Sequence, residues 1–310
     1  MKNLKNSFFE ICIKLSAFTV IGTLILIFVF IAKESLPIFL SPELHKETGL
    51  LRMFLPQDYH TGAGMEFVWQ PISNIPKYSI IVLLLGTLKV TFVAMFFAVP
   101  LSIAAAIYTS EFAPESIREF IKPVIEILAG FPSVVLGFFA LMVLASWLQG
   151  LFGWTFRLNA ITAGIAMGLA VIPIIYTITE DSLNAVPKLY RDGALALGAD
   201  KWQTAYRVVL PAAFPGIFAA CVLGLGRAIG ETMIVLMASG NAAIMTGDLF
   251  QSLRTLSASI AAELAEVVVG STHYSVLFFI GTFLFIVTFI VNLFGYWFVN
   301  RLKGKLEGKI

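Results

Sequence analysis

Long uninterrupted apolar runs alternate with shorter polar segments along the whole chain. Six runs are long enough to cross a bilayer and lie near 11–32, 80–108, 124–148, 159–180, 212–238 and 275–300. A transmembrane helix needs about 20 apolar residues, whereas a membrane β-barrel shows segments of about 10 residues in which apolar and polar positions alternate. The runs are continuous, so the pattern predicts an all-α polytopic membrane protein with six transmembrane helices.

Composition supports this prediction and excludes several function classes. Of the 310 residues, 58% are hydrophobic and 13% are charged, whereas a soluble domain is about 25% charged. These values exclude disorder, a basic nucleic-acid binder and an ordinary soluble enzyme. No glycine-rich phosphate loop, Gly-x-Ser-x-Gly or His-Glu-x-x-His motif is present, so no ATPase or hydrolase site is predicted. The 3 scattered histidines and the 2 cysteines in apolar runs predict neither a metal site nor a disulfide.

The first apolar run is predicted to be an uncleaved signal anchor. Lys2 and Lys5 precede it, the run is longer than the apolar part of a signal peptide, and Ala32–Ser35 is a poor cleavage site. With a cytoplasmic N-terminus, twelve of the 21 lysines and arginines fall in inner segments, six in longer outer segments and three inside spans. The positive-inside rule therefore predicts a multi-pass protein of the plasma (cell inner) membrane with both termini in the cytoplasm.

Three regions follow from these spans. Residues 1–79 hold the anchor and an extracytoplasmic segment, residues 80–301 form the transmembrane core with a cytoplasmic loop at 181–211, and residues 302–310 form a basic tail. We expect residues 33–79 to form a small extracytoplasmic cap. In the second long outer segment, 239–274, one helix face is apolar, at Leu253, Leu256, Ile260, Leu264 and Val267. This stretch is expected to lie on the membrane surface, re-enter the bilayer or dock a partner.

The inner loop 181–211 is longer than most connectors, and such loops usually have a function. Its apolar positions fit two short amphipathic helices with Gly198 between them, where glycine tolerates a positive φ. Pro187 is expected to start the first helix and Pro211 to end the second. A projecting elbow of this kind offers a docking surface for a soluble partner, and a helix pair lying on lipid explains the pattern equally well.

The spacing within this loop resembles the EAA motif of ABC-importer permeases, which is Glu-Ala-Ala, three residues, Gly, nine residues and Ile-x-Leu-Pro. The matching residues are Asp192, Gly193 and Ala194, then Gly198, then Val208, Leu210 and Pro211. Aspartate keeps the charge of the glutamate, and Lys188 and Arg191 are available to pair with it. The resemblance implies a coupling helix that sits in a groove of an ATP-hydrolysing subunit.

Charged residues inside the predicted spans require a reason, because each costs at least ~2.5–3.5 kcal/mol on insertion scales. Lys14 lies near the inner end of the first span and is expected to snorkel. Glu126 follows Lys122 by one helical turn and is expected to pair with it. For Lys89, about nine residues into the second span, snorkelling and a cavity-facing position both remain open.

Arg227 and Glu231 lie four residues apart in the fifth span, so they are predicted to share one helix face. Gly224, Gly226 and Gly230 lie around them, and such small residues allow close packing or widen a pathway. Arginine presents a planar fork of donors that suits oxyanions, and Glu231 is placed to neutralise it while a pathway is empty. The alternative is an ion pair that only holds the fifth span to its neighbours.

The segment Gly226–Met233 resembles the hallmark of phosphate ABC-importer permeases, the Pst type. Further stretches that resemble this family are Ala98–Leu101, Tyr108–Pro114, Ile127–Gly137 and Leu253–Ile260. The methionine after Glu-Thr, the N-terminal anchor and Trp69–Pro71 resemble the PstC type more than its partner type. The resemblance covers most of residues 66–300 and is weak over 33–65.

This resemblance implies a type I ABC-importer permease core that forms half of the translocation pathway for inorganic phosphate. The implied partners are a PstA-like permease subunit, two PstB-like ATPase subunits that bind ATP, and an extracytoplasmic phosphate-binding protein, with membrane lipid around the chain and no nucleic acid. No cofactor is expected on the chain itself. The implied substrate-pathway residues are Arg227, Glu231 and Thr232. The implied ATPase-coupling residues are Asp192, Gly193, Ala194, Gly198, Leu210 and Pro211.

Three rival functions stay open on the sequence alone. A permease for another oxyanion, such as molybdate, sulfate or phosphonate, shares the fold and the loop. Six spans and an intramembrane ion pair also permit an ion-coupled transporter or channel that needs no ATPase, although the EAA spacing argues against it. A sensory component is the third, as a secondary role, because no signalling domain is visible.

Overall fold

The computed structural model of the chain describes residues 2–41, 48–58, 65–73 and 75–306. Its helices are α1 (Lys2–Ser35), α2 (Pro37–Leu40), α3 (Leu50–Phe54), α4 (Ile80–Ile107), α5 (Glu115–Gly130), α6 (Ser133–Phe139), α7 (Ala145–Phe152), α8 (Ala160–Asn184), α9 (Lys188–Ala196), α10 (Lys201–Thr204), α11 (Leu210–Gly230), α12 (Met233–Ala238), α13 (Leu256–Glu263) and α14 (Thr272–Leu306). The π-helical turns are Tyr108–Phe112, Ala140–Leu144 and Ala205–Val209, and a 3-10 turn covers Leu264–Glu266. Two short antiparallel pairs join β1 (Gln57–Asp58) to β2 (Met65–Glu66) and β3 (Trp69–Gln70) to β4 (Lys77–Tyr78).

Six helical stretches are long and apolar enough to cross a membrane, which confirms the predicted all-α polytopic architecture. They are span 1 (Phe9–Leu40), span 2 (Ile80–Phe112), span 3 (Ser133–Phe152), span 4 (Ala160–Asn184), span 5 (Lys201–Gly230) and span 6 (Thr272–Leu302). The predicted basic tail is not separate from the last span over its described part, because α14 continues without a break to Leu306.

Span 3 begins later than the hydrophobic pattern predicts. The predicted run over 124–148 is divided at Phe131 and Pro132, because proline disfavours the helical conformation in the residue before it. Phe131 accordingly has φ −67° and ψ 130°. Helix α5, which precedes this break, has no buried residue and lies on the surface of the bundle, so Glu126 lies outside the spans.

The predicted pair between Lys122 and Glu126 is wrong. The Lys122 ammonium instead lies 3.3 Å from the carboxylate of Glu180, at the end of span 4, and the Arg118 guanidinium lies 3.2 Å from the same carboxylate. Glu180 is 0% exposed, so a carboxylate at this depth requires the two cations that α5 supplies. These contacts hold α5 against span 4.

Span 4 is the centre of the bundle, with spans 2 and 5 packed along it. Small residues make this packing possible. A methyl group added at Gly164 would lie 2.4 Å from Val93 of span 2, and one added at Gly224 would lie 2.7 Å from Ile175 of span 4. Helices in lipid usually associate through close approach of their backbones. The hydrophobic effect contributes little there, because lipid is as apolar as the protein interior.

Span 1 lies at the edge of the bundle against span 6. The Phe28 and Phe285 ring centroids are 4.9 Å apart, and the rings of Phe30 and Phe278 meet edge-on at 5.9 Å. Most of the span 1 side chains remain exposed on the single chain. Span 1 is therefore an added helix outside the central packing of spans 2, 4 and 5.

The two long polar segments pack together at the end of the bundle where span 2 begins. Ile38, Trp69 and Tyr78 share a buried apolar cluster with Leu256 and Val276. The helix predicted in 239–274 begins only at Leu256, as α13. Three placements were expected for this helix: on the membrane surface, re-entering the bilayer or against a partner. The structure packs α13 against spans 2 and 6 of the same chain.

A charged cluster at this end was missed by the sequence analysis. The carboxylate of Glu263 accepts hydrogen bonds from Arg254 and from the Trp69 indole, at 3.3 Å for the latter, and lies 3.2 Å from Nε2 of His273. Trp69 comes from the first long polar segment, and Arg254, Glu263 and His273 come from the second. The cluster joins the described part of the predicted cap to segment 239–274, and no short-range spacing in the sequence indicates it.

Candidate functional site

The first part of the candidate site is a break between span 5 and α12. Span 5 ends at Gly230, Glu231 is extended with φ −66° and ψ 132°, and the chain becomes helical again at Met233. The prediction that both Arg227 and Glu231 lie inside the fifth span is therefore wrong for Glu231, which is the first residue after α11, and their shared helix face stays a prediction.

Polar groups around the break replace the helical hydrogen bonds that it removes. The Ser257 hydroxyl of α13 donates to the Glu231 carbonyl at 2.6 Å, and the Glu231 carboxylate accepts from the Ile234 amide at 3.4 Å. The Thr232 hydroxyl donates to the Gly230 carbonyl at 3.3 Å. Glu231 therefore caps the start of α12. Non-helical backbone at membrane depth is tolerated only where protein buries it or where it lines a water-filled cavity.

Arg227 is exposed on the surface of the single chain, one helical turn before the break. No carboxylate in the described part of the chain lies within 4.0 Å of its guanidinium, including that of Glu231. The expected neutralisation of Arg227 by Glu231 is thus not formed in this conformation. The site holds a permanent positive charge without a paired negative charge.

The exposed side of span 5 forms a stripe through this arginine. Leu223, Arg227 and Gly230 are all exposed and follow the spacing of one helix face. A Cβ added at Gly230 would meet no neighbouring group within 4 Å, and one added at Gly226 would lie 3.4 Å from the Asn292 side chain of span 6. The helices in the described part of the chain therefore leave the stripe open.

The second part of the site is the elbow, defined as residues 188–204, which contains α9 and α10. Gly198 lies between the two helices with φ 85°, as the sequence predicts. Its amide donates to the Leu195 carbonyl at 3.0 Å, and the Ala199 amide donates to the Ala194 carbonyl at 3.1 Å, which closes the end of α9. Asp200 then begins α10 with a capping box to Gln203.

The expectation that Pro211 ends the second helix of the elbow is wrong. The helix runs from Lys201 through a π-helical turn at Ala205–Val209 and continues as α11 to Gly230. Pro211 directly follows the π-helical turn, in which the Leu210 amide already bonds five residues back, to the Ala205 carbonyl. Helix α10, the second helix of the elbow, is therefore continuous with α11.

The elbow is held to span 2 by Arg191, which the sequence made available to Asp192. The Arg191 guanidinium does not pair with Asp192. It donates to both carboxylate oxygens of Glu111, at 2.7 and 3.2 Å, and to the carbonyls of Leu183 at 2.8 Å and Val186 at 2.7 Å. Glu111 lies in the last turn of span 2, so this bidentate pair joins the elbow to that span.

The outer surface of the elbow is apolar and uncovered. Helix α9 has no buried residue. Leu197 is 91% exposed and Leu189 is 82% exposed, and Trp202 and Tyr206 are also exposed. Exposed apolar surface of this extent marks a contact with a partner or with lipid.

The remaining predicted coupling residues divide into exposed residues and half-buried ones. Asp192 and Gly193 are exposed in α9, and Ala194 is half-buried. Leu210 packs against an apolar cluster that includes Tyr176 and Leu183 of span 4, whereas Pro211 is exposed. The structure thus brings Asp192, Gly193, Ala194 and Gly198 together in the elbow. It places Leu210 at the first residue of α11.

A protein-family comparison matches two thirds of the chain. The family described as "Binding-protein-dependent transport system inner membrane component" matches residues 98–304. Among curated proteins, a probable ABC transporter permease protein of Bacillus subtilis, YqgH, is 34% identical over 235 residues, which are 76% of each chain. The phosphate transport system permease protein PstC of Mesorhizobium japonicum is 32% identical over 256 residues, covering 76% of this chain and 77% of the relative.

A third relative, phosphate transport system permease protein PstC 1 of Mycobacterium tuberculosis, is 34% identical over 248 residues, which are 73% of each chain. Among solved structures, a bacterial ABC transporter that imports the acidic polysaccharide alginate is 14% identical with a TM-score of 0.64, over 97% of this chain and 98% of that one. The MetNI methionine ABC transporter is 20% identical with a TM-score of 0.55, over 70% of this chain and 93% of that one. These likenesses confirm the predicted fold of an ABC-importer permease.

Proposed function

The chain belongs to the family of binding-protein-dependent transport system inner membrane components, and we propose that it is the permease subunit of an ATP-driven importer of inorganic phosphate. The two PstC relatives, at 32% and 34% identity, support the substrate, because their names describe phosphate transport. The solved structures support only the shared importer fold.

The single observation that carries the proposal is the unpaired charge of Arg227 beside the break in span 5. A charge that cannot snorkel to the membrane surface almost always faces water or another protein within a span. The guanidinium offers a fork of donors that matches a phosphate oxyanion. Because Glu231 caps α12, the positive charge of Arg227 remains available to a passing anion.

The open stripe of span 5 supports a second permease subunit. No helix among the described residues covers Leu223, Arg227 and Gly230, so one copy encloses only one side of a pathway. We infer that a PstA-like subunit supplies the other side and that an extracytoplasmic phosphate-binding protein delivers the anion to the pair.

The elbow supports coupling to two PstB-like ATPase subunits, to which we assign the binding and hydrolysis of ATP. Its exposed apolar residues suit a groove of a soluble partner, and its place at the junction of spans 2 and 5 suits the transfer of motion. When ATP binding brings the ATPases together, the elbows move, and span 5 moves with them as one helix. The elbow end and both termini then lie in the cytoplasm, as the lysine and arginine distribution predicts.

Phosphate uptake by the reconstituted complex tests the proposal. We expect proteoliposomes that hold this chain, its PstA-like partner, the ATPase and the binding protein to accumulate labelled phosphate only with ATP inside. An excess of sulfate, molybdate or a phosphonate is expected to leave this uptake unchanged. Stronger competition by one of these anions than by phosphate contradicts the assigned substrate, and uptake without ATP contradicts the assigned class.

Replacing Gly198 is expected to uncouple ATP hydrolysis from uptake. At φ 85° a residue with a side chain costs about 1–2 kcal/mol, so Gly198→Leu distorts the turn between α9 and α10. We expect the ATP hydrolysed per phosphate imported to rise about fivefold or more, since 1–2 kcal/mol corresponds to a factor of about 5–30.

Gly153→Leu is the matched control. Gly153 also has a positive φ, of 67°, and open space around its Cβ position, but it lies between spans 3 and 4. It carries the same strain away from the elbow, and its coupling ratio is expected to match that of the unmodified protein. An unchanged ratio in Gly198→Leu would make the elbow a lipid-facing element.

A further inference from the structure

Lys89 is a second cation within the spans that the proposed function does not use. It lies in span 2 and is half-buried. Its ammonium donates to the main-chain carbonyl of Thr246 and to that of Asp248, the latter at 3.4 Å. Both carbonyls belong to the loop 239–255, which follows α12. The lysine is thus turned towards this loop and does not extend freely into lipid.

The charge of Lys89 is held by carbonyl groups, and the Asp248 carboxylate acts on it only from beyond ion-pair distance. Within the described ranges no carboxylate lies within 4.0 Å of its ammonium. The Asp248 carboxylate instead accepts from the Phe250 amide at 2.9 Å. Carbonyl dipoles satisfy the hydrogen-bond donors of an ammonium, yet they leave its net charge in place at a depth where an unpaired charge is costly.

Lys89 and Arg227 lie at nearly the same depth in the bundle. Two hydrogen bonds from the start of α13 show this, because they tie α13 to a residue near each cation. The Leu256 amide donates to the Thr87 hydroxyl of span 2 at 3.1 Å, and the neighbouring Ser257 hydroxyl donates to the Glu231 carbonyl at 2.6 Å. Thr87 and Glu231 therefore both lie beside the first turn of α13, at one depth along the bundle.

Both cations lie on the elbow side of that level. Span 2 runs towards the elbow, so Lys89 lies about 3 Å beyond Thr87, at 1.5 Å per residue. Span 5 runs away from the elbow, so Arg227 lies about 6 Å before Glu231 on the same scale. Two cations without carboxylate partners thus occupy one layer of the bundle, about one helical turn thick.

We propose that Lys89 is a second anion-binding residue of the pathway, which receives the phosphate next to loop 239–255 before Arg227 does. The proposal rests on the proposed function. The carbonyls of Thr246 and Asp248 hold the ammonium while the pathway is empty, and the ammonium turns to the anion when it arrives. A lysine suits this step because its flexible stem carries a compact charge that binds phosphate without a fixed geometry.

Restoring the charge chemically tests the proposal. In a chain with Cys12→Ala and Cys221→Ala, we expect Lys89→Cys to lower ATP-driven phosphate uptake at least about tenfold. The 2-aminoethyl methanethiosulfonate reagent forms a disulfide with the introduced thiol, releases methanesulfinate and adds an ammonium. It is expected to restore at least half of the uptake, whereas methyl methanethiosulfonate, which adds a neutral methylthio group, restores none.

Neighbouring variants separate charge from shape. Leu88→Cys is the matched control for the reagents, because Leu88 is exposed on the same span, and neither reagent is expected to change its uptake. Lys89→Arg is expected to keep uptake and Lys89→Gln, which keeps a donor without charge, to lose it. Full uptake in Lys89→Gln, equal rescue by both reagents, or failure of the reagents to label the introduced thiol each overturns the proposal.

The unmodified complex distinguishes this inference from the proposed function. If it shows no ATP-driven phosphate uptake, the proposed function fails. If it transports phosphate and the neutral variants at Lys89 do so equally well, only the role of Lys89 fails.

Discussion

Arg227→Gln is expected to lower ATP-driven phosphate uptake to less than about one hundredth of the unmodified rate, while the complex still assembles. Glutamine keeps a hydrogen-bond donor and loses the positive charge, so the anion meets an uncompensated desolvation cost in the pathway. Even a single neutral donor that stabilises an oxyanion is worth ~2.7–4 kcal/mol, or a factor of 10²–10³, and a permanent charge is expected to matter at least as much. Initial rates of labelled phosphate uptake in proteoliposomes measure this effect.

Assembly is expected to survive because Arg227 forms no ion pair in the described part of this chain. Arg227→Lys, which keeps the charge and loses the planar fork, is expected to retain part of the uptake. Arg157→Gln is a matched control, since this exposed arginine lies in the loop between spans 3 and 4 and donates only to Ser146. Normal uptake by Arg227→Gln would remove the arginine from the pathway and leave it a structural or partner contact.

Arg191→Ala is expected to detach the elbow from span 2 and to separate ATP hydrolysis from transport. The change leaves the Glu111 carboxylate, which is 10% exposed, without its guanidinium, and removing one partner of a buried pair costs about 3–5 kcal/mol. It also removes the donors to the Leu183 and Val186 carbonyls. We expect uptake to fall at least about a hundredfold, with ATP hydrolysis continuing, measured on the same proteoliposomes.

A double-mutant cycle checks that the ion pair is responsible. Arg191→Ala combined with Glu111→Ala is expected to cost less than the sum of the single changes, because the second change removes a charge that has already lost its partner. Lys188→Ala is the matched control, as an exposed cation on the same helix without an ion pair in the described ranges. Additive effects in the cycle, or equal losses in Lys188→Ala, contradict a coupling role for this pair.

Local patterns were sufficient for much of the fold and for part of the site. The number of spans followed from apolar length, because every backbone group in a bilayer must be paired within a helix or a closed barrel. The positive φ of Gly198 and the two-helix elbow followed from residues close together in the sequence. These features depend on interactions within a few residues, which a sequence pattern reports directly.

The ion pairs could not be predicted in the same way. Spacing along the chain made Lys188 and Arg191 available to Asp192 and predicted a pair between Lys122 and Glu126. In the structure Arg191 and Lys122 turn to carboxylates on other spans, Glu111 and Glu180. Long cationic side chains reach across helix contacts, and a buried carboxylate gains more from pairing than an exposed one, so burial decides the partner.

Helix ends were the other failure. Pro211 does not end a helix, whereas the short segment around Glu231 does. The difference depends on the Ser257 hydroxyl of α13, which satisfies the Glu231 carbonyl at the break. Ser257 thus stabilises the end of span 5 from 26 positions away in the sequence.

The sequence by itself determined the six membrane helices, the elbow and the positions of Arg227 and Lys89 along their spans, because each of these follows from the bilayer or from short-range geometry. Only the tertiary structure decided which charges are neutralised. Glu111, Glu180 and Glu263 have cationic partners, and Arg227 and Lys89 have no paired carboxylate among the described residues. The reason is physical: a charge in a low-dielectric medium is stabilised by whatever the packing of distant segments brings within a few ångströms, and that distance is set by the fold as a whole.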